Sequence, residues 1–482
     1  MRIRFILHYL GLLLIGLALF MLLPLGFSIY YREPDITALI ISFLITATVG
    51  LVMRLSSHKP DTSLSRREAL LLVAGTWVLS SIFGALPYMF SGVLPSAADA
   101  FFESMSGFTT TGASVLTHIA DQPRGILLWR DLTQWLGGMG IIALFVAVLP
   151  MIGIGAAHLI ESELPGPKGE RITARVRDTA RILWLLYVGL TVIEITALTM
   201  TGMTFFDALL NTFGTMPTGG FSPHNLSIGG YNSLPAEIVI IIFMILAGTN
   251  FQLFYYILWK RDFRVVVANR ELRAYLGIML VASLLIALDL FRGLGYSLAN
   301  AFRYASFQVV SIQTTTGFAT ADFSAWPPFS QAILLVLMGI GASACSTGGA
   351  IKVIRVLVLI KFACRQILVV LNPNAVRPIK LAGKVLSEQF ITEIVALSVL
   401  YASVLVLGFV VMSAFGLDPL SALSSVAASL GNVGPGLGMV GPMANYAFIH
   451  PVGKVFLAFC MLIGRLEFWT VLTLFVPSFW RT

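Results

Sequence analysis

TTTGA at Thr109–Ala113 and TTTGF at Thr314–Phe318 are two copies of one short motif in otherwise different surroundings. PTGGF at Pro217–Phe221 and GNVGPGLG at Gly431–Gly438 stand in the same context. In all four places an apolar span is followed by a short amphipathic stretch, a glycine-bearing run and a second apolar span. This regularity indicates one structural unit that the chain uses four times.

The four short amphipathic stretches have about half the length of a membrane span. Each opens with a residue that favours the N-cap of a helix, and these residues are Asp99, Asp207, Asn300 and Asp418. The glycines taken as equivalent follow these residues by 13, 13, 17 and 16 positions, and they are Gly112, Gly220, Gly317 and Gly434. We expect helices of about 10 to 14 residues, too short to cross a hydrocarbon core of about 30 Å.

A helix that enters a bilayer and stops is followed by non-helical backbone at membrane depth. Such backbone is tolerated only where protein buries it or where it lines a watery path. The short helices direct the partial negative charge of their C-termini inward, and glycine allows the backbone to aim carbonyl oxygens at an axis. Rings of carbonyl oxygens replace the water shell of K⁺ in potassium filters. The repeat therefore predicts four re-entrant hairpins around a central pore, with an ordinary turn between spans as the alternative for any single loop.

The composition excludes a large soluble domain. Of 482 residues, 57% are hydrophobic and 11% charged, whereas soluble domains carry about 25% charged residues. We predict an all-α polytopic membrane protein with ten spans, near residues 5–26, 36–53, 69–90, 126–150, 182–200, 236–259, 275–291, 329–361, 390–416 and 452–476. Two N-terminal spans (1–67) precede four pore repeats, which occupy residues 68–181, 182–273, 274–388 and 389–482.

The charge distribution predicts the orientation. Of the 31 Lys and Arg residues, 24 fall in the two tails and in alternate loops, which is the positive-inside pattern. Both termini are therefore expected in the cytoplasm, and the net charge of +8 does not indicate nucleic-acid binding. The sizeable inward-facing surfaces are the basic segments 168–181, 260–273 and 352–384, where we expect a soluble partner to dock.

The candidate filter consists of three residues in each segment. They are Thr110, Thr111 and Gly112; Thr218, Gly219 and Gly220; Thr315, Thr316 and Gly317; and Asn432, Val433 and Gly434. The second segment contains a Gly219-Gly220 pair, of which Gly220 is preferred because Phe221 then matches Phe318. The fourth has Asn-Val in place of Thr-Thr, so strict discrimination of K⁺ from Na⁺ stays open.

A second candidate element lies between Gln331 and Lys361, a run too long for one simple span. Within it Gly339–Ala350 reads GIGASACSTGGA, whose small residues form a poor helix. We predict a loop buried beneath the filter that acts as a gate, with close helix packing as the alternative. The candidate gate residues are Gly339, Gly341, Ser343, Ser346, Thr347, Gly348, Gly349, Lys352 and Arg465.

Arg465 lies about 14 residues into the last span, near mid-membrane, where a charge facing lipid costs at least about 2.5–3.5 kcal/mol. We predict that it faces a water-filled pore, opposes the passage of cations and contacts the gate loop. The alternative is a buried ion pair with Glu467, although residues two apart on a helix point in different directions.

Three carboxylates are candidates for filter support, because ionisable groups in spans mark function or pairing. Glu103 lies in the first short helix, and Glu194 and Glu393 lie in outer spans of the second and fourth repeats. Each is expected to brace a neighbouring loop rather than touch the ion. A position at the water-facing edge of a span is the alternative, above all for Glu393.

Beyond the four filter segments, four motifs carry a family resemblance. They are QWLGGMGI at Gln134–Ile141, ELPGP at Glu163–Pro167, STGGAIKVIR at Ser346–Arg355 and GRLEFWT at Gly464–Thr470. Together they resemble the Trk/Ktr/HKT potassium-transporter superfamily and, within it, the TrkH/TrkG-type membrane subunit of bacterial Trk systems, over essentially the whole chain. The resemblance implies K⁺ uptake across the bacterial inner membrane and a homodimer with one pore per protomer. It also implies an intramembrane gating loop and a cytosolic TrkA-type subunit that binds the nucleotide, NAD or ATP.

Other classes of protein fit less well. A secondary transporter with alternating access also uses broken helices, but its repeats are typically two halves rather than four hairpins. An intramembrane enzyme needs a nucleophile–base pair or a metal cluster, and the spans contain neither pattern. GLGMVG at Gly436–Gly441 lacks the βαβ context of a dinucleotide site. We therefore predict no catalytic residue and no cofactor in this chain, with K⁺ as the substrate and membrane lipid around it.

Overall fold

The structure is a computed structural model, and it describes residues 3–56, 65–147, 176–371, 377–381 and 384–481. Most of the predicted basic segment 168–181 lies outside these residues, as do the ELPGP motif and small parts of the segment 352–384. The described residues are mostly helical, apart from one antiparallel pair of two-residue strands. The predicted all-α class is confirmed.

The helices among the described residues are α1 (Ile3–Tyr31), α2 (Ile36–Leu55), α3 (Arg66–Gly84), α4 (Leu86–Phe90), α5 (Ala97–Phe108), α6 (Arg124–Ala147), α7 (Val176–Met200), α8 (Phe205–Thr215), α9 (Leu234–Ala247), α10 (Phe251–Leu258), α11 (Phe263–Ala268), α12 (Arg270–Gly293), α13 (Leu298–Gln313), α14 (Pro328–Ile340), α15 (Val353–Leu371), α16 (Glu388–Ala414), α17 (Pro419–Leu430), α18 (Pro451–Leu466), α19 (Phe468–Leu472) and α20 (Pro477–Trp480). Strands β1 (Lys380–Leu381) and β2 (Lys384–Val385) pair with Lys380 opposite Val385.

Six elements of the described chain are long and apolar enough to cross a membrane: α1, α2, α3 with α4, α7, α12 and α16. The predicted spans 236–259 and 452–476 are wrong as single helices, because the first bends by 95° and the second by 119°. The first break falls before Asn250, whose side chain accepts the N–H of Gln252 and so begins a new helix, α10. The second falls at Glu467, whose left-handed backbone (φ 63°) cannot continue a right-handed helix.

The four short helices of the repeats are α5, α8, α13 and α17, with 12, 11, 16 and 12 residues. At 1.5 Å per residue they extend about 16–24 Å, so none of them crosses a hydrocarbon core of about 30 Å. The third is two residues longer than the predicted 10 to 14 residues.

Three of the predicted helix starts are wrong by three residues. The N-caps are Ser96, Thr204 and Ser297 rather than Asp99, Asp207 and Asn300; only Asp418 is a cap as predicted. The hydroxyls of Thr204 and Ser297 accept the N–H of the residue three positions on. Asp and Asn thus occupy the third helical position, as in a capping-box arrangement. Counted from these N-caps, the four equivalent glycines (Gly112, Gly220, Gly317 and Gly434) follow at 16, 16, 20 and 16 residues.

The short helices and the helices that follow them pack in a closed circle. The helix after each short helix packs against the next short helix: α6 against α8, α9 against α13, α14 against α17, and α18 back against α5. Two partly buried ion pairs reinforce this order. Lys454 of α18 bonds Asp99 of α5 at 2.5 Å, and Arg303 of α13 bonds Glu237 of α9 at 2.6 Å.

Candidate ion pathway

Each short helix is followed by a residue whose backbone is left-handed, although none of these residues is glycine. They are Thr110, Thr218, Thr315 and Asn432, with φ between 50° and 61°. The residue after each donates its N–H to a helix carbonyl five residues back, as in Thr111 N to Ser106 O at 2.8 Å. This is the Schellman type of helix end. Because the loop N–H groups are used in this way, the loop carbonyl oxygens are left to face away from the helix.

The four equivalent glycines form a closed ring of contacts. Their φ angles lie between 77° and 99°, a region that residues with a Cβ rarely adopt. A Cβ on any of them would overlap with a carbonyl oxygen of the next segment, and the pairs are Gly112 with Gly219, Gly220 with Thr316, Gly317 with Val433 and Gly434 with Thr111. The four segments therefore surround one axis in sequence order. Gly220, rather than Gly219, occupies the ring position of the second segment.

The carbonyl oxygens of this ring belong to Thr111, Gly219, Thr316 and Val433. Among the described residues, no hydrogen bond is donated to three of them, whereas that of Gly219 accepts one from Gln134 Nε2 at 2.7 Å. All four glycines also line an open cavity of about 110 Å³. The ring thus connects this cavity with a set of carbonyl oxygens, an arrangement that can hold a partly dehydrated cation.

Glu103 braces the first segment. Its carboxylate accepts the Val115 N–H at 2.8 Å, the Ser114 hydroxyl at 2.9 Å and Arg130 Nε at 2.7 Å. Arg130 in turn donates to the Ser222 carbonyl at 3.2 Å. The fully buried pair therefore ties the stretch after the first segment to the stretch after the second.

The two other candidate supports differ in position. Glu194 of α7 is fully buried, and the side chain of Thr215, at the end of the short helix α8, lies near its carboxylate. Glu393 lies in the second turn of α16 and accepts from Gln389. It is 21 residues, about 30 Å along the helix, from the end at Ala414 that leads to the short helix α17. Its place near the end of a span fits the alternative, and the prediction that Glu393 supports the filter stays a prediction.

The run 329–361 contains a helix, a loop and a second helix. Helix α14 continues through Gly339 and Ile340, so the loop begins two residues later than predicted, at the left-handed Gly341 (φ 72°), and ends at Lys352. We call residues 341–352 the plug loop. Its polar members Ser343, Ser346, Thr347 and Lys352 are all buried. Ser346 Oγ donates to the Ser343 carbonyl at 2.6 Å and accepts the Gly348 N–H at 3.3 Å, which closes the turn.

The plug loop lies directly against three of the filter segments. The Gly349 N–H donates to Thr315 Oγ1 at 2.8 Å, and the Thr347 hydroxyl lies 3.1 Å from the carbonyl of Met216. A Cβ at Gly349 would overlap with the carbonyl of Gly431. Small residues are required here because the loop backbone approaches the filter backbone too closely for side chains.

The other side of the plug loop is attached to the broken helix α9–α10 and to α12. Ser343 N donates to the Gly248 carbonyl at 3.0 Å, and the Cys345 carbonyl accepts the Phe251 N–H at 3.1 Å. The carboxylate of Glu271, in the first turn of α12, accepts the Ala344 N–H at 2.7 Å. The break in α9–α10 thus supplies the backbone groups that the plug loop needs.

Arg465 contacts the plug loop but does not face water. Only 3% of it is exposed, and it donates to the Thr347 carbonyl at 2.6 Å and to the Gly137 carbonyl at 3.3 Å. The prediction of a water-facing side chain is wrong, because the plug loop fills the space beneath the filter. The alternative pair with Glu467 is also wrong, since Glu467 bonds Arg355 at 2.6 Å.

Comparisons with known proteins agree with this geometry. The TrkH family model, described as a cation transport protein, matches residues 35–291 and 294–482. The Trk system potassium uptake protein TrkH of Salmonella typhimurium is 39% identical, with all of both chains covered. TrkG of Escherichia coli is 32% identical over 100% of this chain and 99% of its own. The chain belongs to the TrkH family. The crystal structure of the potassium transporter TrkH from Vibrio parahaemolyticus matches with a TM-score of 0.92 and 35% identity over all of both chains.

Membership in the TrkH family confirms the resemblance that the motifs indicated. The relatives are named as transport proteins, which also agrees with the prediction that the chain is not an enzyme. The apolar helices and the TrkH relatives together make it a multi-pass membrane protein.

Sequence reasoning missed three polar residues of this TrkH-family chain. Gln134 and Arg130 lie on α6, and Glu271 begins α12; all three are buried and bond loop backbone. A signal was present for the first two, because both interrupt a span that is otherwise apolar. Glu271 was hidden, since it lies within a charged segment that reads as an ordinary solvated loop.

Proposed function

We propose that the chain takes up K⁺ across the bacterial inner membrane through one channel-like pore formed by its four repeats. The observation that carries the proposal is the closed ring in which each glycine meets a carbonyl of the next segment. Relatives that cover the whole chain are named as potassium uptake proteins, which supports K⁺ as the substrate.

In this proposal the carbonyl oxygens of the ring replace part of the ion's water shell. The four short helices add the partial negative charge of their C-terminal ends, which favours a cation at the ring. Preference for K⁺ over Na⁺ depends on how firmly the four loops are held. Glu103 and its bonds to Ser114, Val115 and Arg130 support the first loop. Glu194 lies near Thr215, at the end of the short helix that precedes the second loop.

The plug loop is the proposed gate. It fills the space beneath the filter and bonds Thr315 and Arg465, so ions pass only when these contacts are broken. Arg465 adds a positive charge on the same path. The plug loop is held by contacts to the filter segments, the broken helix α9–α10, α12 and Arg465. We therefore expect that its opening requires an input from outside the membrane.

We further propose that both termini are cytoplasmic and that a TrkA-type soluble subunit with bound nucleotide supplies this input. The support is the positive-inside pattern of Lys and Arg and the relatives' designation as Trk system proteins, which suggests more than one component. The proposed assembly is a homodimer with a pore in each protomer.

Rubidium flux into liposomes that contain the purified protein tests the proposal. We expect flux that K⁺ competes away, that increases when the soluble subunit is added, and that appears as unitary current steps in a patch. Saturable turnover coupled to a second ion, without unitary steps, would favour the carrier alternative instead.

A further inference from the structure

Gln134 of α6 contacts the second filter segment, which lacks the paired threonine hydroxyls of the first and third. In the first segment the hydroxyls of Thr109 and Thr111 lie 2.8 Å apart, and in the third those of Thr314 and Thr316 lie 2.7 Å apart. The equivalent residues of the second segment, Pro217 and Gly219, have no hydroxyl. The second loop therefore needs another support.

Helix α6 supplies that support from the first repeat. Gln134 Nε2 donates to the Gly219 carbonyl at 2.7 Å, and Gln134 Oε1 accepts the Phe221 N–H at 3.1 Å. The side chain is fully buried, and both ends of its amide are used. One residue thus holds the loop on both sides of the ring glycine.

The same contact explains why Gly219 is glycine although its backbone is not left-handed. A Cβ at this position would overlap with Cδ, Oε1 and Nε2 of Gln134. Gly137 and Gly138, one turn along α6, meet Phe108 and Pro217 in the same way, so the helix can approach closely enough for Gln134 to reach. The second segment therefore has glycine in place of the second threonine because Gly219 leaves room for Gln134, and Gln134 then bonds the loop.

We infer that Gln134 is a specificity-determining positioning residue, which sets the position of the Gly219 carbonyl in the ring and thereby the preference for K⁺ over Na⁺. It contacts no ion itself. A carbonyl that already accepts one hydrogen bond and is held from two sides cannot move inward to follow the smaller Na⁺, whereas an untethered loop can. The inference rests on the proposed K⁺ pathway and names the residue that tunes it.

The test is Gln134→Met, which keeps the length of the side chain and removes both hydrogen bonds. We expect the K⁺/Na⁺ permeability ratio from bi-ionic reversal potentials to fall by about fivefold, which corresponds to about 1 kcal/mol, the net contribution of one hydrogen bond. The matched control is Gln308→Met, since Gln308 is equally buried in α13 but bonds Thr320 rather than a ring carbonyl; its ratio should stay at the wild-type value.

A reciprocal pair of variants keeps the test decisive if Gln134→Met fails to fold. Gly219→Ala alone should abolish flux or selectivity, because its Cβ overlaps with Gln134. In Gln134→Ala/Gly219→Ala the space is free, so flux should return with a lowered permeability ratio. A wild-type ratio in Gln134→Met, or no recovery in the double variant, would overturn the inference. Absence of K⁺ flux in the wild-type protein would instead count against the proposed function itself.

Discussion

At the residue scale, the glycine ring of the proposed filter depends on backbone conformation rather than on side-chain chemistry. Four residues with a Cβ adopt a left-handed conformation that costs about 1–2 kcal/mol each, and four glycines adopt one where a Cβ does not fit. The sequence pattern placed the four glycines of the ring, because each follows a short helix and a repeated Thr- or Gly-containing motif; that the twelve residues form the filter stays a prediction. It could not show Gln134, whose partner lies 85 residues away.

Gly317→Ser tests the ring at one position. The added Cβ overlaps with the Val433 carbonyl, so we expect a lower K⁺/Na⁺ permeability ratio or blocked flux in protein that folds normally. Gly295→Ser is the matched control, because Gly295 has the same left-handed backbone (φ 67°) with open space around it. Equal, wild-type ratios in both variants would mean that the third loop is not part of the filter.

Arg465→Met tests the charge beneath the filter. The substitution keeps the bulk of the side chain and removes two hydrogen bonds to backbone, each worth about 1 kcal/mol. We expect basal K⁺ current to increase by about tenfold without a change in ion preference. Arg292→Met, which removes an exposed charge at the far end of α12, is the control. Wild-type current in a folded Arg465→Met protein would contradict a role in the closed state.

At the element scale, the breaks in the helices are as informative as the helices. The sequence predicted the interruption after α14, since a run of eleven small residues and one isoleucine forms a poor helix, but it did not predict the bends at Asn250 and Glu467. Apolar runs continue through both positions, and the groups that compensate for the breaks come from distant parts of the chain. Cys345 accepts the N–H of Phe251, and Arg355 pairs with Glu467.

Glu271→Leu tests how the plug loop is held. The variant removes the carboxylate that accepts the Ala344 N–H, a hydrogen bond to a charged group worth about 1.5–3 kcal/mol. We expect basal rubidium flux without the soluble subunit to increase by about tenfold or more. Glu388→Leu serves as control, because it also removes a first-turn Glu but one that pairs with Arg365 at the protein surface. Wild-type basal flux in a folded Glu271→Leu protein would show that Glu271 does not hold the plug loop closed.

At the scale of the whole molecule, the four repeats form one circle although their sequences differ. The reason is that the helix after each short helix packs against the short helix of the next repeat. The periodic spacing of the motifs predicted four units but not their order around the axis, which depends on contacts between different repeats, such as Gly220 with Thr316 and Gly434 with Thr111. The basic segment 260–273 includes the start of α12 and Glu271, which bonds the plug loop. A subunit that binds this segment would therefore lie close to a residue that contacts the plug loop.

Docking of the soluble subunit on these basic segments should depend on salt. Charges at a solvated surface are screened over about 8 Å at physiological ionic strength and about 3 Å at 1 M. We therefore expect the dissociation constant, measured by surface capture of the detergent-purified complex, to rise as salt increases. Reversal of Arg261 and Arg264 to Glu should have the same effect at low salt, whereas a salt-independent constant would contradict electrostatic docking.

The central claim, that four segments from one chain form a cation filter selective for K⁺, is tested most directly by a bi-ionic reversal potential. The purified wild-type protein is placed in a planar bilayer with K⁺ on one side and Na⁺ on the other, at equal concentration. We expect unitary current steps whose reversal potential shifts toward the equilibrium potential of K⁺. A reversal potential at zero, or transport without unitary steps, would contradict it.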